Sequence, residues 1–260
     1  MKGRAAVPSP LKIAVAGATG RVGHHVTDVL RERGYDVVPI SRATGVDVIT
    51  GSGLGAALAG AGAIIDAATG PSPQQQAATE FFTTAARNLQ QAGQQAGAGR
   101  VIAMSVIGTD QFTAGYGAAQ VAHEQATLAG PVPAHVLRAA QFFEFVEQLV
   151  EWGTRGDVAY VPRMRCQPVA ARAVAEVLAD LVTGPGLPAE PFTEVAGPKQ
   201  ESMVHAAELL AARRNLPVTI EGVTDQADPD HELNENGALL PGPNAILAGP
   251  DFITWLDSNS

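Results

Sequence analysis

Residues 11–34 constrain the fold more than any other part of the chain. A short apolar run at 11–16 ends at Gly17, and Gly20 and Gly23 follow at equal intervals. Apolar residues then recur at helical spacing at positions 22, 26, 29 and 30, and Gly34 stands where a helix commonly ends. The pattern predicts a buried strand, a tight glycine turn and a helix, in that order.

A glycine turn between a strand and a helix is typical of a dinucleotide-binding site. The first glycine permits the turn, the second lets the backbone approach a pyrophosphate, and the third lets the helix pack closely on the strand. The helix N-terminus offers unpaired N–H groups and the positive end of its dipole to the phosphates. The spacing here is G-x-x-G-x-x-G, whereas many dehydrogenases have G-x-G-x-x-G. We predict that a nicotinamide dinucleotide contacts Gly17, Thr19, Gly20, Arg21, Val22 and Gly23.

Strand-like and helix-like segments alternate along the first half of the chain. Strands are predicted at 11–16, 35–41, 46–50, 63–68, 100–105 and 134–138. Helices are predicted from position 22, at 54–58, after Pro73 and at 118–128. Because such alternation builds parallel sheets with helices on both faces, the predicted fold class is α/β. It is a Rossmann-type doubly wound parallel sheet with a small C-terminal substrate-binding region.

The rhythm changes after residue 145. The pattern predicts a helix at 169–182, a strand at 193–196, a helix at 202–214, a polar loop at 225–243 and a short final helix near 252–256. We interpret residues 1–10 as a flexible N-terminal segment and 11–260 as one NAD(P)-binding domain. Within that domain, residues 146–260 are expected to supply most of the cap on the substrate side.

Composition excludes several classes of function. The formal net charge of −9 argues against binding a nucleic-acid backbone. No apolar run approaches the ~20 residues that a membrane-spanning helix needs, and the N-terminus does not resemble a signal peptide. The single cysteine, Cys166, predicts a buried, unreactive thiol in a reducing, cytoplasmic compartment. The scattered histidines lack the spacing of a metal site, so no metal is expected.

The end of the second predicted strand indicates which dinucleotide binds. NAD sites usually have a carboxylate there, to accept hydrogen bonds from the ribose. This chain instead has Ser41 and Arg42, which can donate to a 2′-phosphate, and Arg21 can add a second positive charge. NADP(H) is therefore favoured over NAD(H), with Asp47 near the adenine edge. The alternative is that Arg42 is a solvated loop residue.

Several motifs along the chain together resemble one family. They are GATGRVG at 17–23, GVDVITG at 45–51, EFF at 80–82, MSVIG at 104–108, RAAQFFEF at 138–145 and QPVA at 167–170. The combination resembles the NmrA-like branch of the atypical short-chain dehydrogenase/reductases. The resemblance implies that Ala67, Ala68 and Thr69 run past an NADP(H) cofactor. It also places the nicotinamide near Ser105, Val106 and residues 141–143.

The superfamily's proton-donating group is only partly present. Its reductases use a serine followed by Tyr-x-x-x-Lys, in which the lysine lowers the tyrosine pKa from about 10. The matching residues are Ser105, Tyr116 and Gln120, so the lysine is absent. Glutamine can hold the ribose but stabilises a tyrosinate far less, because it is uncharged. Ser105 and Tyr116 are the predicted catalytic residues, and Ser105 and Gln120 are predicted cofactor contacts. A packing or ribose-contact role for Tyr116 is the alternative.

Aromatic residues cluster where the family walls its substrate pocket. Phe142, Phe143, Phe145 and Trp152 fall within eleven residues, although aromatics make up only 5% of the chain. If one faces the nicotinamide, the substrate is apolar or planar; the alternative is that they pack the cap on the sheet. The predicted substrate contacts are Val106, Phe112, Gln141, Phe142, Phe143 and Trp152.

Three functions are compatible with these residues. The first is an NADP(H)-dependent oxidoreductase acting on a small carbonyl, quinone, imine or activated alkene. The second is a catalytically silent redox sensor that binds NADP(H) and acts through a protein partner. The third is a non-redox isomerase or cyclase that retains the cofactor. The exposed helix faces also leave a homodimer open, and fold alone does not choose among these alternatives.

Overall fold

The computed structural model describes residues 11–259, so the expectation for residues 1–10 lies outside the described part of the chain. The strands are β1 (Lys12–Ala16), β2 (Asp36–Ile40), β3 (Ala63–Asp66), β4 (Arg100–Val106), β5 (Ala134–Ala139), β6 (Thr154–Arg155), β7 (Val158–Pro162), β8 (Arg165–Cys166), β9 (Phe192–Ala196), β10 (Glu201–Ser202), β11 (Thr219–Val223) and β12 (Ile246–Leu247). The helices are α1 (Gly23–Glu32), α2 (Leu54–Leu58), α3 (Gln75–Ala96), α4 (Gly115–Leu128), α5 (Phe143–Gly153), α6 (Ala171–Thr183), α7 (Met203–Arg213), α8 (His231–Asn236) and α9 (Phe252–Ser258).

The predicted parallel sheet is confirmed. Seven strands lie in the order β2-β1-β3-β4-β5-β9-β12, and every neighbouring pair is parallel. The chain passes from β1 to β2 on one side and then crosses to β3 on the other. This reversal opens a crevice at the carboxyl ends of β1 and β3, which is where ligands bind in open α/β sheets.

Side chains alternate between the two faces of the sheet. In β1, Ile13 and Val15 belong to the larger hydrophobic core, while Ala14 and Ala16 belong to the smaller one. Helices α1 and α6 pack on the first face, and α2 and α3 pack on the second, where α4 lies against α3. A strand covered on both sides is apolar at successive positions, and this explains the continuous apolar runs in the sequence.

The prediction of a strand at 46–50 is wrong. These residues form turns, in which the Asp47 carboxylate accepts a hydrogen bond from the Ile49 N–H at 2.8 Å. Asn88 of α3 donates to the carbonyl oxygens of Val48 and Ile49, at 2.8 Å each. Side chains thus satisfy backbone groups that a strand would pair with a neighbour. The apolar Val46 and Val48 therefore pack against the smaller hydrophobic core and do not extend the sheet.

The C-terminal half is divided between the sheet and a separate set of elements. Helix α6 and strands β9 and β12 return to the central sheet and its helical layer. Helices α5 and α7 pack on a small sheet of order β11-β7-β6. The sequence pattern missed α5, and the prediction of a loop throughout 225–243 is wrong because it contains α8. Within residues 11–259, no helix combines the length and hydropathy needed to cross a bilayer.

Candidate dinucleotide and active site

The first glycine of the loop is required by the protein itself. Gly17 follows β1 with φ of 74°, a left-handed conformation that favours glycine. Its N–H donates to the carbonyl of Ile40 at 3.0 Å. A Cβ at this position would lie 2.5 Å from the carbonyl oxygen of Ala67. Gly17 therefore lets the end of β1 lie directly against the segment that follows β3.

The other two glycines have different surroundings. A Cβ on Gly23 would lie 2.0 Å from the Gly17 carbonyl oxygen, so this glycine lets α1 pack against the loop. A Cβ on Gly20 would meet only that same oxygen, at 3.2 Å. The protein therefore makes little demand for glycine at position 20. Its missing side chain leaves open the approach to the N-terminus of α1, and a pyrophosphate fits this feature.

The remaining predicted residues of the loop differ in exposure. Thr19 and Arg21 are exposed, whereas Val22 is buried against the core beneath the loop. Arg21 donates to the Gln148 side chain of α5 at 2.9 Å. This contact directs the Arg21 guanidinium towards α5.

The segment after β3 runs beside the loop. Ala67 and Ala68 are buried and Thr69 is exposed, as the packing against Gly17 requires. The Asp66 carboxylate accepts from the Ala68 N–H at 3.1 Å, and its second oxygen lies 3.1 Å from Nε2 of His123. Sequence reasoning missed this buried pair. A polar residue ending an apolar strand was the available signal, but it did not identify the partner.

The carboxyl end of β2 carries an exposed cation. Arg42 lies in a short 3₁₀ turn, and among residues 11–259 it pairs with no acidic side chain. The Ser41 hydroxyl caps this turn by accepting from the Thr44 N–H at 3.3 Å. Asp47 is occupied by its own turn. Arg42 is thus an exposed positive charge that follows β2, and Ser41 holds the 3₁₀ turn that contains it.

Ser105 and Gln120 supply buried polar atoms. Ser105 lies near the carboxyl end of β4, 2% exposed, and Gln120 lies in α4, 4% exposed. The Ser105 Oγ and the Gln120 Oε1 have no hydrogen-bond partner among the described residues. A buried unpaired polar atom is costly, so such atoms commonly mark a ligand or an ordered water. Both atoms fit a polar ligand at this edge of the sheet.

Burial and Gln120 shift the pKa of the Tyr116 hydroxyl in opposite directions. Burial raises the pKa of the Tyr116 hydroxyl above its ordinary value, and the hydrogen bond from Gln120 lowers it by less. The hydroxyl therefore stays protonated through neutral pH and can donate a hydrogen bond. The Tyr116 ring packs edge-on against Phe82, with ring centres 5.7 Å apart, and Phe82 stacks on His123 at 4.8 Å. Helix α3 thus holds the tyrosine ring from its other side.

The predicted substrate residues do not all lie together. Val106 ends β4, Gln141 and Phe142 follow the carboxyl end of the neighbouring β5, and the buried Gln141 Oε1 has no partner among the described residues. Phe112 packs against Gly117 in the first turn of α4. By contrast, Phe143 is 1% exposed and contacts Phe252 and Trp255 in the core, with ring centres 5.2 and 5.5 Å away.

Trp152 lies well away from this group. It is 55% exposed and packs edge-on against Phe145 near the far end of α5. Nine residues of helix, about 13 Å, separate it from Phe143 at the start of α5.

Within residues 11–259, no three His, Cys, Asp or Glu side chains form a group that could hold a metal ion.

Comparison with known proteins bears on the architecture. No protein-family model matches this chain, and no curated protein matches it in sequence. Solved structures do match. The fold is shared with nicotinamide-dinucleotide enzymes.

Three of these structures illustrate the similarity. A dTDP-4-dehydrorhamnose reductase from Bacillus anthracis, in complex with NADP, has a TM-score of 0.70 and 18% identity, over 96% of this chain and 98% of that one. A GDP-6-OMe-4-keto-L-xylo-heptose reductase from C. jejuni has a TM-score of 0.70 and 11% identity, over 98% and 99%. A short-chain dehydrogenase/reductase superfamily protein from Agrobacterium tumefaciens, with bound NAD, has a TM-score of 0.67 and 16% identity, over 95% of each chain. At these identities the likeness establishes the fold.

Proposed function

We propose that this chain is an NADP(H)-dependent oxidoreductase that transfers hydride to or from a small apolar or planar substrate. The observation that carries the proposal is the convergence at one sheet edge. The open approach over Gly20 follows β1, and the Ser105 Oγ lies near the carboxyl end of β4, which is separated from β1 by β3 alone. The Gln120 Oε1 lies in the next helix, α4, and neither atom has a hydrogen-bond partner among residues 11–259. Several solved structures with this fold hold NAD or NADP, which supports a nicotinamide cofactor here.

The phosphate contacts support NADP(H). The glycine loop and the N-terminus of α1 would hold the pyrophosphate, and Arg42 would pair with a 2′-phosphate. An exposed arginine that pairs with no acidic side chain among residues 11–259, at the strand end where NAD sites usually carry a carboxylate, favours the phosphorylated cofactor. Bound at this edge, the nicotinamide would supply the hydride chemistry. The NmrA-like branch of the short-chain dehydrogenase/reductases is the family we propose.

The chain's own polar groups suit a substrate that needs little proton delivery. Tyr116 remains protonated and offers a hydrogen bond to a substrate oxygen, while Gln120 orients that hydroxyl without placing a charge beside it. Ser105 offers a second hydrogen bond from the end of β4. Without a neighbouring lysine, tyrosine is a weaker general acid. Quinones and activated alkenes fit this arrangement better than simple ketones, because the anion that hydride transfer produces on them is delocalised and less basic than an alkoxide.

One alternative function has its own supporting observation. Gln120 in place of lysine removes the charge that activates the tyrosine, as expected of a catalytically silent sensor of NADP(H) acting through a protein partner. The buried Oε1 of Gln141, which has no partner among residues 11–259, favours the enzyme, because a sensor has no need of a second polar site beyond the cofactor.

The proposed function is tested by following NADPH absorbance with a panel of quinones, aldehydes, imines and enones, and by measuring NADPH and NADH affinities calorimetrically. We expect turnover of a quinone or an enone and tighter binding of NADPH. Tight NADPH binding with no turnover across the panel would exclude the oxidoreductase among these substrates and favour the sensor. Failure to bind either dinucleotide would overturn the cofactor assignment.

A further inference from the structure

The loop that joins β4 to α4 is covered by a distant segment, which we define as the strap, residues 225–240. Gln111 of the loop donates to the Ala238 carbonyl oxygen at 3.4 Å. Gly108 has φ of 79°, and a Cβ there would lie 2.0 Å from that same oxygen. The two backbones thus approach as closely as a glycine allows. The strap therefore lies directly over the residues between Ser105 and Tyr116.

Asp230 makes the most specific contact of the strap. One carboxylate oxygen accepts from the N–H groups of Thr113 and Ala114, at 2.6 and 2.8 Å. The other lies 3.0 Å from the Thr113 hydroxyl, which donates to it. The residue is only 8% exposed. Three hydrogen bonds from two adjacent residues fix the carboxylate at the entrance to α4.

The strap is itself folded around this aspartate. Asp228 accepts from the Asp230 N–H at 2.9 Å through its side chain. The Asp230 carbonyl accepts from the Leu233 N–H at 2.9 Å, as α8 begins. Asp230 is therefore held by local hydrogen bonds before it reaches α4.

Helix α4 has no local substitute for Asp230. Its N-cap residue is Ala114, whose side chain cannot accept a hydrogen bond, and glycines at positions 115 and 117 weaken the first turn. The first N–H groups of a helix need acceptors, and here they come from elsewhere in the chain. Gln75 of α3 accepts from the Gly115 N–H at 3.0 Å, and Asp230 accepts from the residues before it. Tyr116 lies in this first turn.

We propose that Asp230 is a positioning residue for Tyr116, and that through it the strap sets where the tyrosine hydroxyl lies. The kinetic consequence of this inference rests on the proposed oxidoreductase function, but the structural consequence does not. Rearrangement of the strap on substrate binding would move the first turn of α4 and with it the proton donor.

The ionisation of Asp230 supports this role. Burial would raise the pKa of its carboxyl group, but the hydrogen bonds from Thr113 and Ala114 outweigh it and hold the pKa below the ordinary value. The group is therefore a carboxylate at neutral pH. Its hydrogen bonds are charge-assisted, and a negative charge also favours the N-terminal end of a helix.

The test combines a double-mutant cycle with a spectroscopic signal. Asp230→Ala and Tyr116→Phe are made singly and together. The matched control Asp225→Ala removes an exposed strap carboxylate whose one hydrogen-bond donor within residues 11–259 is the Ala227 N–H, at 3.0 Å. Rates are measured with NADPH and menadione. Ring-labelled tyrosine NMR reports the three tyrosines without any ligand, and Tyr116→Phe assigns the signal. Thermal unfolding by circular dichroism verifies folding, and the isosteric Asp230→Asn replaces any variant that does not fold.

In the wild-type background, we expect Asp230→Ala to lower the rate of menadione reduction about ten- to hundredfold. In the Tyr116→Phe background, we expect Asp230→Ala to change that rate by no more than about twofold. We also expect it to move the Tyr116 signal towards that of free tyrosine, with the signals of Tyr35 and Tyr160 unchanged. Equal rate losses in both backgrounds, or a stationary Tyr116 signal, overturn the positioning role. Equal rates in wild type and Tyr116→Phe overturn only the proton-donor role, since the NMR signal still decides the positioning.

Discussion

Gly20 and Gly23 have different surroundings, so adding a methyl group at each should have different effects. Gly20→Ala and Gly23→Ala make the same chemical change three residues apart. At Gly20 the new Cβ meets only the Gly17 carbonyl oxygen, at 3.2 Å, with no positive φ to disfavour alanine. At Gly23 it lies 2.0 Å from that oxygen and 2.6 Å from the Gly17 carbonyl carbon. We expect the Gly20→Ala protein to keep its fold and bind NADPH less tightly, and the Gly23→Ala protein to lose stability.

These distances set the expected magnitudes. For Gly20→Ala, the gain from a less flexible unfolded chain, about 0.4–1 kcal/mol, offsets the small adjustment of the carbonyl, so the free energy of unfolding changes by less than ~1 kcal/mol. For Gly23→Ala, α1 must separate from the loop by more than an ångström, and overpacking of a buried site costs about 3 kcal/mol. At roughly 2–4 °C per kcal/mol for a chain of this size, Tm falls by about 6–12 °C.

The assays are thermal unfolding by circular dichroism and NADPH binding by calorimetry. Gly20→Ala weakens NADPH binding at least ~tenfold, about 1.4 kcal/mol, because the methyl group occupies the approach of the pyrophosphate. Gly55→Ala in α2, where a Cβ meets nothing within 4 Å, is the control for the methyl group itself. Undiminished NADPH affinity in Gly20→Ala would refute the proposed pyrophosphate site over Gly20. An unchanged Tm in Gly23→Ala would refute the close packing of α1 against the loop.

Three further measurements bear on the site. Arg42→Ala should weaken NADPH about 10- to 150-fold, the equivalent of 1.5–3 kcal/mol for a hydrogen bond to a charge, and leave NADH nearly unchanged; with Arg31→Ala as control, equal losses for both cofactors would contradict the 2′-phosphate contact. Gln120→Lys should lower the pKa of Tyr116 and shift the alkaline limb of the menadione rate to lower pH, since the donor is lost as pH rises through that pKa; an unmoved limb would mean that the lysine does not reach the hydroxyl. Burial raises the pKa of the Cys166 thiol to about 12, so at pH 8 its thiolate fraction is on the order of 10⁻⁴. Cys166 should therefore not react with a disulfide reagent until the protein unfolds; rapid labelling of the native protein would contradict its burial.

Local patterns predicted the central sheet because its determinants are local. The glycine loop and the apolar strands each depend on residues within one turn or one strand, and their periodicity is legible in the sequence. The strand prediction at 46–50 failed for a related reason. Five mostly apolar residues look alike in an edge strand and in a turn, and the deciding contacts come from Asp47 and from Asn88, forty residues away. Hydrophobicity alone does not register such side-chain hydrogen bonds.

The site was harder to predict because its determinants are long-range. The Asp66–His123 pair joins residues 57 apart, and the contact of Asp230 with Thr113 joins residues 117 apart. Neither has a fixed spacing that a motif could record. The aromatic cluster at 142–152 shows the same limit, because composition does not reveal that Phe143 faces the core while Phe142 lies at the sheet edge.

The distance in sequence between Asp230 and Thr113 has a consequence for the order of assembly during synthesis. The glycine loop and β1 to β5 are complete once residue 139 has emerged, but the Thr113 and Ala114 N–H groups that precede α4 lack their acceptor until residue 230 follows. At roughly 5–20 residues per second, the 117 residues between them take about 6 to 23 seconds to translate. In the proposed function, the residues that would hold the dinucleotide are thus translated well before the carboxylate that would position Tyr116.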